Sequence, residues 1–483
     1  MHNLFQIVSK KDSSQSPKLT VKIKNQLMLE KLFKLKENKT NVRTEIIAGI
    51  TTFMTMAYIL FLNPNILGVT GMDKNAVFFA TAISAGFVTI AMGLVANFPI
   101  ALAPGMGLNA LFATVALAGV GMPWQVALGA VFISGLIFIL LTVTKVRQIL
   151  VIAVPNSIKR AITVGIGLFI TIIGLKLSEI MVVSAKVIPP TLDALGKNTG
   201  MTTMNFFEWN IGMGSFHNHG MLLCLIGLFL TAVLMARQIK GSLLIGIVAT
   251  TLIGIPMGVT VIPEGFSPFS LPDFHHLAVG ALDIRGALNM GIWTVVFTFT
   301  FVELFDTFGT LVGTAGKAGL IDKDGNSPKI GKAMLVDAFG VSFGALMGTS
   351  TITAYVESAA GIGEGGRTGL TAVTTGLFFL LALVIAPLAG IIPSAATAPA
   401  LIIVGVLMAS SVLDIDFNDF TEGFPAFMTF IMMPFTYSIA NGIAAGIISY
   451  TILKVATGKW KQVHWMMYVL FVLVVVRYIF LSE

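Results

Sequence analysis

Long runs of apolar residues alternate with short polar stretches along almost the whole chain. Most runs extend over about twenty residues, the length with which an α-helix crosses the hydrocarbon core of a bilayer. The pattern predicts fourteen transmembrane segments, seven in each half of the chain, near residues 44–64, 75–96, 98–117, 122–143, 157–176, 219–237 and 241–262, and then 286–315, 330–348, 350–367, 369–391, 395–412, 422–437 and 439–456. A last apolar run, 465–481, contains Arg477 and is predicted to lie at the membrane interface rather than to span.

Composition agrees with an all-α membrane protein that crosses the bilayer many times. Of the 483 residues, 55% are hydrophobic and only 11% are charged, and the mean hydropathy is +0.90. Soluble proteins carry about a quarter of charged residues, so a soluble multidomain protein is excluded. The single cysteine, Cys224, lies in an apolar run, where a core position is expected, and it cannot form a disulfide within the chain.

Lys and Arg collect in the loops that fall on one side of the membrane when the segments alternate in direction. Cytoplasmic loops carry an excess of these residues, so the bias predicts a cytoplasmic N-terminus in a cell membrane and supports the count of fourteen. Since the net charge of +7 belongs to the loops and the tail, it does not indicate nucleic-acid binding. The polar tail, 1–43, has no signal-peptide pattern; a disordered tail is favoured over an amphipathic helix at 27–36.

The third and tenth segments contain residues that interrupt helices. The third reads NFPIALAPGMGLNALFATVAL, with proline and glycine crowded before Asn109, and the tenth begins with β-branched and hydroxyl residues before Glu357. Both patterns predict an extended piece followed by a half-helix, at matching places in the two halves, which points to a binding site near the bilayer midplane. The helix starts would direct free N–H groups at one point, with Asn109 and Glu357 beside them. The alternative is a proline-kinked helix in which Asn109 joins neighbouring helices.

Two acids interrupt the apolar eighth segment, which reads FTFTFVELFDTFGTLVG from Phe297 to Gly313. Glu303 and Asp306 are three residues apart and therefore share one face of a helix. A carboxylate at membrane depth costs at least a few kcal/mol unless it is paired, hydrated or protonated, so this face is predicted to be functional. The alternative for Asp306 is a structural bond to backbone near its threonine neighbours.

Four stretches resemble one transporter family: GITTFMTMAYILFLNP, APGMGLNA, FVELFDTFGTLVG and YVESAAGIGEGGRTGLTA are similar to the adenine–guanine–hypoxanthine permeases, the AzgA-like branch of the nucleobase transporters. The resemblance extends from about Thr44 to Lys461. It implies the fold of the uracil and xanthine permeases, with fourteen segments in two inverted repeats, a core domain and a gate domain. It also implies uptake of a purine base coupled to protons.

The pattern of segments divides the chain into a cytosolic tail, a first repeat, an extracellular linker, a second repeat and a C-terminal interfacial or membrane helix, at 1–43, 44–262, 263–285, 286–457 and 458–483. The resemblance implies a set of site residues. By matching motif, Glu303, Asp306 and Glu357 would contact substrate or proton, and Gly107 and Asn109 would line the pocket. The family often has Asp at the position of Glu303, one methylene shorter.

Purine bases present N–H donors that carboxylates can accept. Guanine and hypoxanthine carry N1–H beside a carbonyl, and Glu303 or Glu357 could bind that edge. Three carboxylates around one pocket cannot all stay ionised cheaply, so one of Glu303, Asp306 and Glu357 is expected to carry the coupling proton. Aromatic rings crowd the same segment, at Phe297, Phe299, Phe301, Phe305 and Phe308. One of them could stack on a base, although most are expected to contact lipid or the core.

Other chemistry is not indicated. GIGEGG at 361–366 lacks the preceding strand of a dinucleotide site, and His275–His276 has no carboxylate or thiolate at metal-ligand spacing, so no cofactor or metal is predicted. The acidic residues between 414 and 422 are expected to be a solvated loop, and the sequence leaves Asp337 either at the boundary between core and gate domains or near the inner membrane surface. The sequence contains no P-loop that would indicate an ATP-driven pump, and no nucleophile–base pair that would indicate an enzyme.

The predicted function is therefore a proton-coupled importer of purine bases, with guanine and hypoxanthine favoured and adenine the other candidate. Sodium is the less favoured coupling ion, and the sequence leaves the oligomeric state open, a homodimer included. The alternatives are an anion transporter or exchanger of the related sulfate-type fold, and a channel. An anion site should contain a cation or bare helix dipoles rather than acids from two segments.

Overall fold

The computed structural model describes residues 28–117, 121–144, 153–185, 209–270, 277–288, 293–317 and 330–480. The helices are α1 (Val42–Met56), α2 (Ile59–Gly68), α3 (Lys74–Ala91), α4 (Met106–Val115), α5 (Trp124–Val143), α6 (Asn156–Leu177), α7 (His219–Ala236), α8 (Ser242–Gly254), α9 (Ile284–Ala287), α10 (Trp293–Lys317), α11 (Ile330–Met347), α12 (Ser358–Gly363), α13 (Gly369–Leu381), α14 (Pro387–Ile391), α15 (Ser394–Ala409), α16 (Phe420–Phe435), α17 (Ile439–Ala456) and α18 (Trp465–Phe480). The strands are β1 (Leu102–Pro104), β2 (Met181–Ala185), β3 (Trp209–Met213) and β4 (Ile352–Ala354).

Each of the fourteen predicted segments contains at least one helix. Among the described residues, eight helical stretches are long and apolar enough to cross a membrane. Five further apolar helices are shorter, and they include α4, α8 and part of α18. The chain is thus a multi-pass membrane protein, while the crossing of all fourteen segments remains a prediction.

Both predicted interruptions are present. The third segment is β1 followed by α4, and the tenth is β4 followed by the short α12. The two strands pair antiparallel, with Ala103 opposite Thr353, so each extended piece satisfies backbone groups of the other inside the bundle. This pairing is what permits extended chain at a depth where no water is available.

The helices pack in two groups. In the first helix group, α5 packs on α11, and α13 packs on α1 and α3. In the second helix group, α6 packs on α15 and α16, α15 also contacts α7 and α8, and α16 packs on α17. The groups meet where α4 and α10 contact α6, and where α10 contacts α17. Segments from both halves of the chain contribute to each group.

A buried glutamate joins the first and eleventh segments. Glu45 of α1 is fully buried, and its carboxylate accepts the backbone N–H groups of Arg367 (2.8 Å), Thr368 (3.2 Å) and Thr371 (3.2 Å). The hydroxyl of Thr371 donates to the same carboxylate over 2.6 Å. These groups precede or open α13, where N–H groups lack partners within the helix, so a distant side chain caps the helix start.

Part of the N-terminal tail is ordered. Residues 28–33 are helical, and Phe33 and Leu35 are buried against Leu370. The carbonyl of Phe33 accepts a bond of 3.0 Å from the amide of Asn97. The favoured prediction of a disordered tail is therefore wrong for this part, because two apolar side chains find a buried surface at the start of α13; residues 1–27 lie outside the described part.

The acidic residues near 419 are not simply solvated. Lys454 is almost fully buried, and its ammonium lies 2.7 Å from a carboxylate oxygen of Glu422 and 3.9 Å from one of Asp419. Lys459 contacts Asp419 at 3.1 Å, and Ser157 of α6 donates to Glu422. The expectation of a solvated loop is wrong for Asp419 and Glu422, because the buried cation of α17 requires their charge.

Candidate functional site

The paired strands bring the starts of α4 and α12 to one place. Beyond the ladder, Gly105 N–H donates to the Thr351 carbonyl over 3.0 Å, and Tyr355 N–H donates to the Ala101 carbonyl over 3.1 Å. Ser358 Oγ accepts the Ala101 N–H over 3.0 Å. The first turn of each half-helix is therefore fixed to the extended piece of the other half of the chain.

Glu303 lies at the centre of a buried polar cluster. Its side chain is fully buried on α10, and its Oε1 accepts the hydroxyl of Thr307 over 2.8 Å. Thr307 Oγ1 is also 2.8 Å from Thr353 Oγ1 of β4 and 3.3 Å from Asp337 Oδ1 of α11. Three elements that are distant in sequence meet at this one hydroxyl.

Asp337, whose position the sequence left open, belongs to the same buried polar cluster. It is fully buried, and it faces Glu303 through Thr307 rather than the surface. The hydroxyl of Thr307 has one hydrogen, so it can donate to only one of the two carboxylates at a time. Two ionised carboxylates this close are costly, and a proton held on one of them relieves the repulsion. The sequence feature that could have pointed to Asp337 is an acid in the middle of an otherwise apolar helix.

Glu357 sits directly before α12 and contacts the first segment. Its Oε1 accepts the hydroxyl of Tyr58 over 2.7 Å, and its backbone carbonyl lies 3.5 Å from Thr55 Oγ1. Tyr58 is fully buried in the interruption between α1 and α2, whereas Glu357 is half-buried. The carboxylate forms no capping bond with α12, and the hydroxyl of Tyr58 holds it.

Asn109 and Gly107, both in the first turn of α4, are buried. Ser350 donates its hydroxyl to Asn109 Oδ1, and Asn109 Nδ2 lies 3.5 Å from the Pro104 carbonyl. The bond to Ser350 connects the third segment with the chain just before β4. A Cβ atom on Gly107 would lie 2.6 Å from Cγ2 of Ile166, so this glycine permits close contact between α4 and α6 of the second helix group.

The predicted residues thus fall on elements in mutual contact. α10, which carries Glu303, contacts α4, β4 and α12, which carry or adjoin Asn109 and Glu357. The side chain of Asp306 lies outside the described residues, as do those of Phe305 and Phe308 and the pair His275–His276. Among the side chains that are described, no cluster of three His, Cys, Asp or Glu could hold a metal ion.

The aromatic residues of α10 separate into a buried and an exposed set. Phe299 is fully buried in the core, while Phe297 is 42% exposed and stacks on Phe301 with ring centres 5.4 Å apart. Phe301 and Glu303 are two positions apart, which separates them by about 200° around the helix axis. Phe297 and Phe301 therefore do not supply the stacking face beside Glu303.

Comparison with known proteins gives both sequence and structural matches. The permease family model matches residues 43–445. Adenine permease AdeP of Escherichia coli K12 is 44% identical over 463 residues, covering 96% of this chain and 98% of AdeP. Guanine/hypoxanthine permease PbuG of Bacillus subtilis 168 is 42% identical over 466 residues, covering 94% of this chain and 100% of PbuG.

A solved structure shares the fold. The transmembrane domain of the cyanobacterial bicarbonate transporter BicA has a TM-score of 0.58 at 17% identity, and the match covers 84% of this chain and 97% of that domain. At this identity the likeness concerns the fold alone. It confirms the predicted fold class, a helical membrane bundle of the inverted-repeat type.

Proposed function

This chain belongs to the permease family, and from that premise we propose that it is a secondary transporter that imports purine nucleobases in symport with protons. The motif resemblance to the adenine–guanine–hypoxanthine permeases is confirmed by the identity to AdeP and PbuG, which extends over nearly the whole length of both. The names of those two relatives state adenine and guanine/hypoxanthine. We take the substrate class of this chain from them.

One observation supports the site most directly: acids of the eighth and tenth segments, Glu303 and Glu357, lie on elements that meet beside the paired half-helices. Glu303 contacts the β4 segment through Thr307 and Thr353, and Glu357 follows four residues after Thr353. Helical hydroxyls, amides and carboxylates converge here from five segments. A flat base with several N–H donors and acceptors needs such a mixed set of polar partners.

Glu357 and Glu303 would bind N–H groups of the base. A carboxylate oxygen accepts from ring or amino N–H groups, and two such groups lie side by side on guanine. Because Tyr58 occupies Oε1 of Glu357, the second oxygen, Oε2, is the natural acceptor for the base. Asn109 has its carbonyl oxygen engaged by Ser350, so its amide N–H groups are oriented as donors.

Proton coupling would act through Glu303, Thr307 and Asp337, in addition to the predicted candidates Asp306 and Glu357. Thr307 bridges the two buried acids, so a proton taken up by one of them reorganises the bond to the other. Loss of one negative charge also lowers the cost of moving this group across the membrane field and of enclosing a neutral base beside it. Base binding and protonation are thereby linked at one cluster.

The Lys and Arg bias supports a cell-membrane orientation with the N-terminus in the cytoplasm. The proposed division into two repeats, 44–262 and 286–457, agrees with two helix groups that each draw segments from both halves. The site lies in the first helix group, and Gly107 contacts Ile166 of the second. Relative movement of the groups would then expose the site to one side at a time.

Uptake of labelled adenine, guanine and hypoxanthine into cells lacking their own purine carriers tests this function. Competition among the unlabelled bases ranks them, and counterflow in vesicles separates a carrier from a channel. A protonophore should abolish concentrative uptake. Accumulation that survives the protonophore and follows a sodium gradient would overturn proton coupling, and transport of bicarbonate or sulfate without any purine uptake would overturn the substrate.

A further inference from the structure

A cavity of about 290 Å³ lies between α10, α17 and α18, away from the polar cluster. The residues that line it are apolar except for Thr298, and they include Trp293, Phe297, Phe301, Ala444 and Leu473. Helix α10 packs on α5 and α11 of the first helix group, and α17 belongs to the second. The cavity is therefore at their boundary, on the face of α10 opposite Glu303.

The lining has a buried floor and an exposed rim. Ile443, Ala444 and Ile447 are almost fully buried, whereas Phe297 is 42% and Leu473 is 50% exposed. In a chain whose helices cross a membrane, an exposed apolar rim on α10 and α18 faces lipid. The cavity thus opens sideways toward the bilayer rather than toward water.

The position of the lining along the helices confines the cavity to one leaflet. It uses the first part of α10, from Trp293 to Phe301, which rises about 12 Å, close to the roughly 15 Å depth of one hydrocarbon leaflet. It also uses the first half of α17 and the second half of α18, which run in opposite directions after a short connection. Trp293 is the first residue of α10, and tryptophan is enriched at the membrane interface.

We propose that this cavity binds one acyl chain of a membrane phospholipid. A purine or another polar solute would find a single hydroxyl there, whereas a hydrocarbon chain matches the lining. In a bilayer, no hydrophobic gain drives a chain from lipid into protein, so the driving force is contact with a cavity that would otherwise be unfilled. The bound chain separates α10 from α17 and thereby sets the spacing of the two helix groups on the side away from Glu303.

The test uses the full chain in nanodiscs that contain a phospholipid with a diazirine in one acyl chain, followed by mass spectrometry of the labelled peptides. The expected result is labelling concentrated on the α10, α17 and α18 peptides above that of exposed apolar positions elsewhere, such as Leu140 of α5, which is 61% exposed. Equal labelling at Leu140 and at the cavity would mean ordinary annular lipid and would overturn the proposal. This arm uses only the unmodified protein.

A pair of variants gives the second arm. Ala444→Leu fills the buried floor, and Leu140→Ala alters only an outward surface. Ala444→Leu should reduce cavity labelling about tenfold, the ratio that corresponds to about 1.4 kcal/mol of lost contact, and Leu140→Ala should leave it unchanged. Full labelling in a folded Ala444→Leu protein, monitored by its gel-filtration profile, counts against the site. Because neither arm measures purine uptake, the result is independent of the proposed transport function.

Discussion

Tyr58 donates its hydroxyl to Glu357 Oε1 over 2.7 Å, although 299 positions separate them. The bond joins the interruption in the first segment to the residue that precedes the half-helix of the tenth. Because Tyr58 is fully buried, the bond fixes one carboxylate oxygen of the half-buried Glu357.

Tyr58→Phe removes this bond and keeps the ring. A hydrogen bond to a charged group is worth about 1.5–3 kcal/mol, so uptake efficiency for the preferred purine should fall at least about tenfold. Uptake at several substrate concentrations measures the change. Tyr468→Phe is the matched control and should transport normally, because the partly buried Tyr468 of α18 donates its hydroxyl to the Trp460 carbonyl, away from the site. Unchanged uptake in Tyr58→Phe would show that transport does not require Tyr58 to position Glu357.

Glu303→Gln and Asp337→Asn each remove one ionisable group of the cluster around Thr307. If the cluster carries the coupling proton, both variants lose the pH dependence of uptake and cannot concentrate the base, because no proton is exchanged there. Exchange of labelled for unlabelled base across vesicles should persist to a greater degree than uphill uptake. Asp416→Asn, in an exposed loop, is the control.

Thr307 gives a separate test of the same cluster. Thr307→Ser keeps the hydroxyl that contacts Glu303, Asp337 and Thr353, and it should retain pH-dependent uptake. Thr307→Val keeps the shape but removes the hydroxyl, which leaves buried carboxylates short of a donor at a cost of about 1–3 kcal/mol. If the valine variant shows the wild-type pH profile, the bridge has no part in coupling.

Gly107→Ala places a methyl group 2.6 Å from Cγ2 of Ile166, a contact that forces α4 and α6 apart. Overpacking of this kind costs about 1–3 kcal/mol, so both the melting temperature and uptake should fall. Ile166→Leu removes the opposing Cγ2 branch at nearly constant volume and should restore much of both in the double variant, as coupled neighbours do. Gly390→Ala, which has open space around its new methyl group, serves as control. Equal losses in single and double variants would show that the contact is not the cause.

The contacts of Asp419 predict that the stability of the folded protein decreases at acid pH. Bonds from the hydroxyl and N–H of Thr421, and then from Lys459, lower the pKa of the Asp419 carboxyl from 3.8 to about 2. A carboxyl with a lowered pKa stabilises the folded protein above its ordinary pKa, and the contribution disappears as the pH falls from about 4 to about 2. Asp419→Asn should therefore lower the melting temperature at pH 7 and have little effect near pH 2. Glu264→Gln, an exposed loop change, should have none at either pH.

The sequence by itself determined where helices lie and which segments break. The length of an apolar run is a local property of the sequence, and so is the presence of proline and glycine before Asn109 or of β-branched residues before Glu357. The helices, and the strands β1 and β4, lie where these local patterns predicted them. The cost of a carboxylate in an apolar helix likewise identified Glu303 without any contact being known.

Only the tertiary structure decided which groups face each other. Asp337 meets Glu303 through Thr307, and Tyr58 binds Glu357, because helices that are separate along the chain pack together. Burial of Lys454 beside Glu422, which overturned the expectation of a solvated loop, has the same origin. Hydropathy and spacing describe one element at a time, whereas the partner of a buried polar group is fixed by the angle and height at which two elements cross.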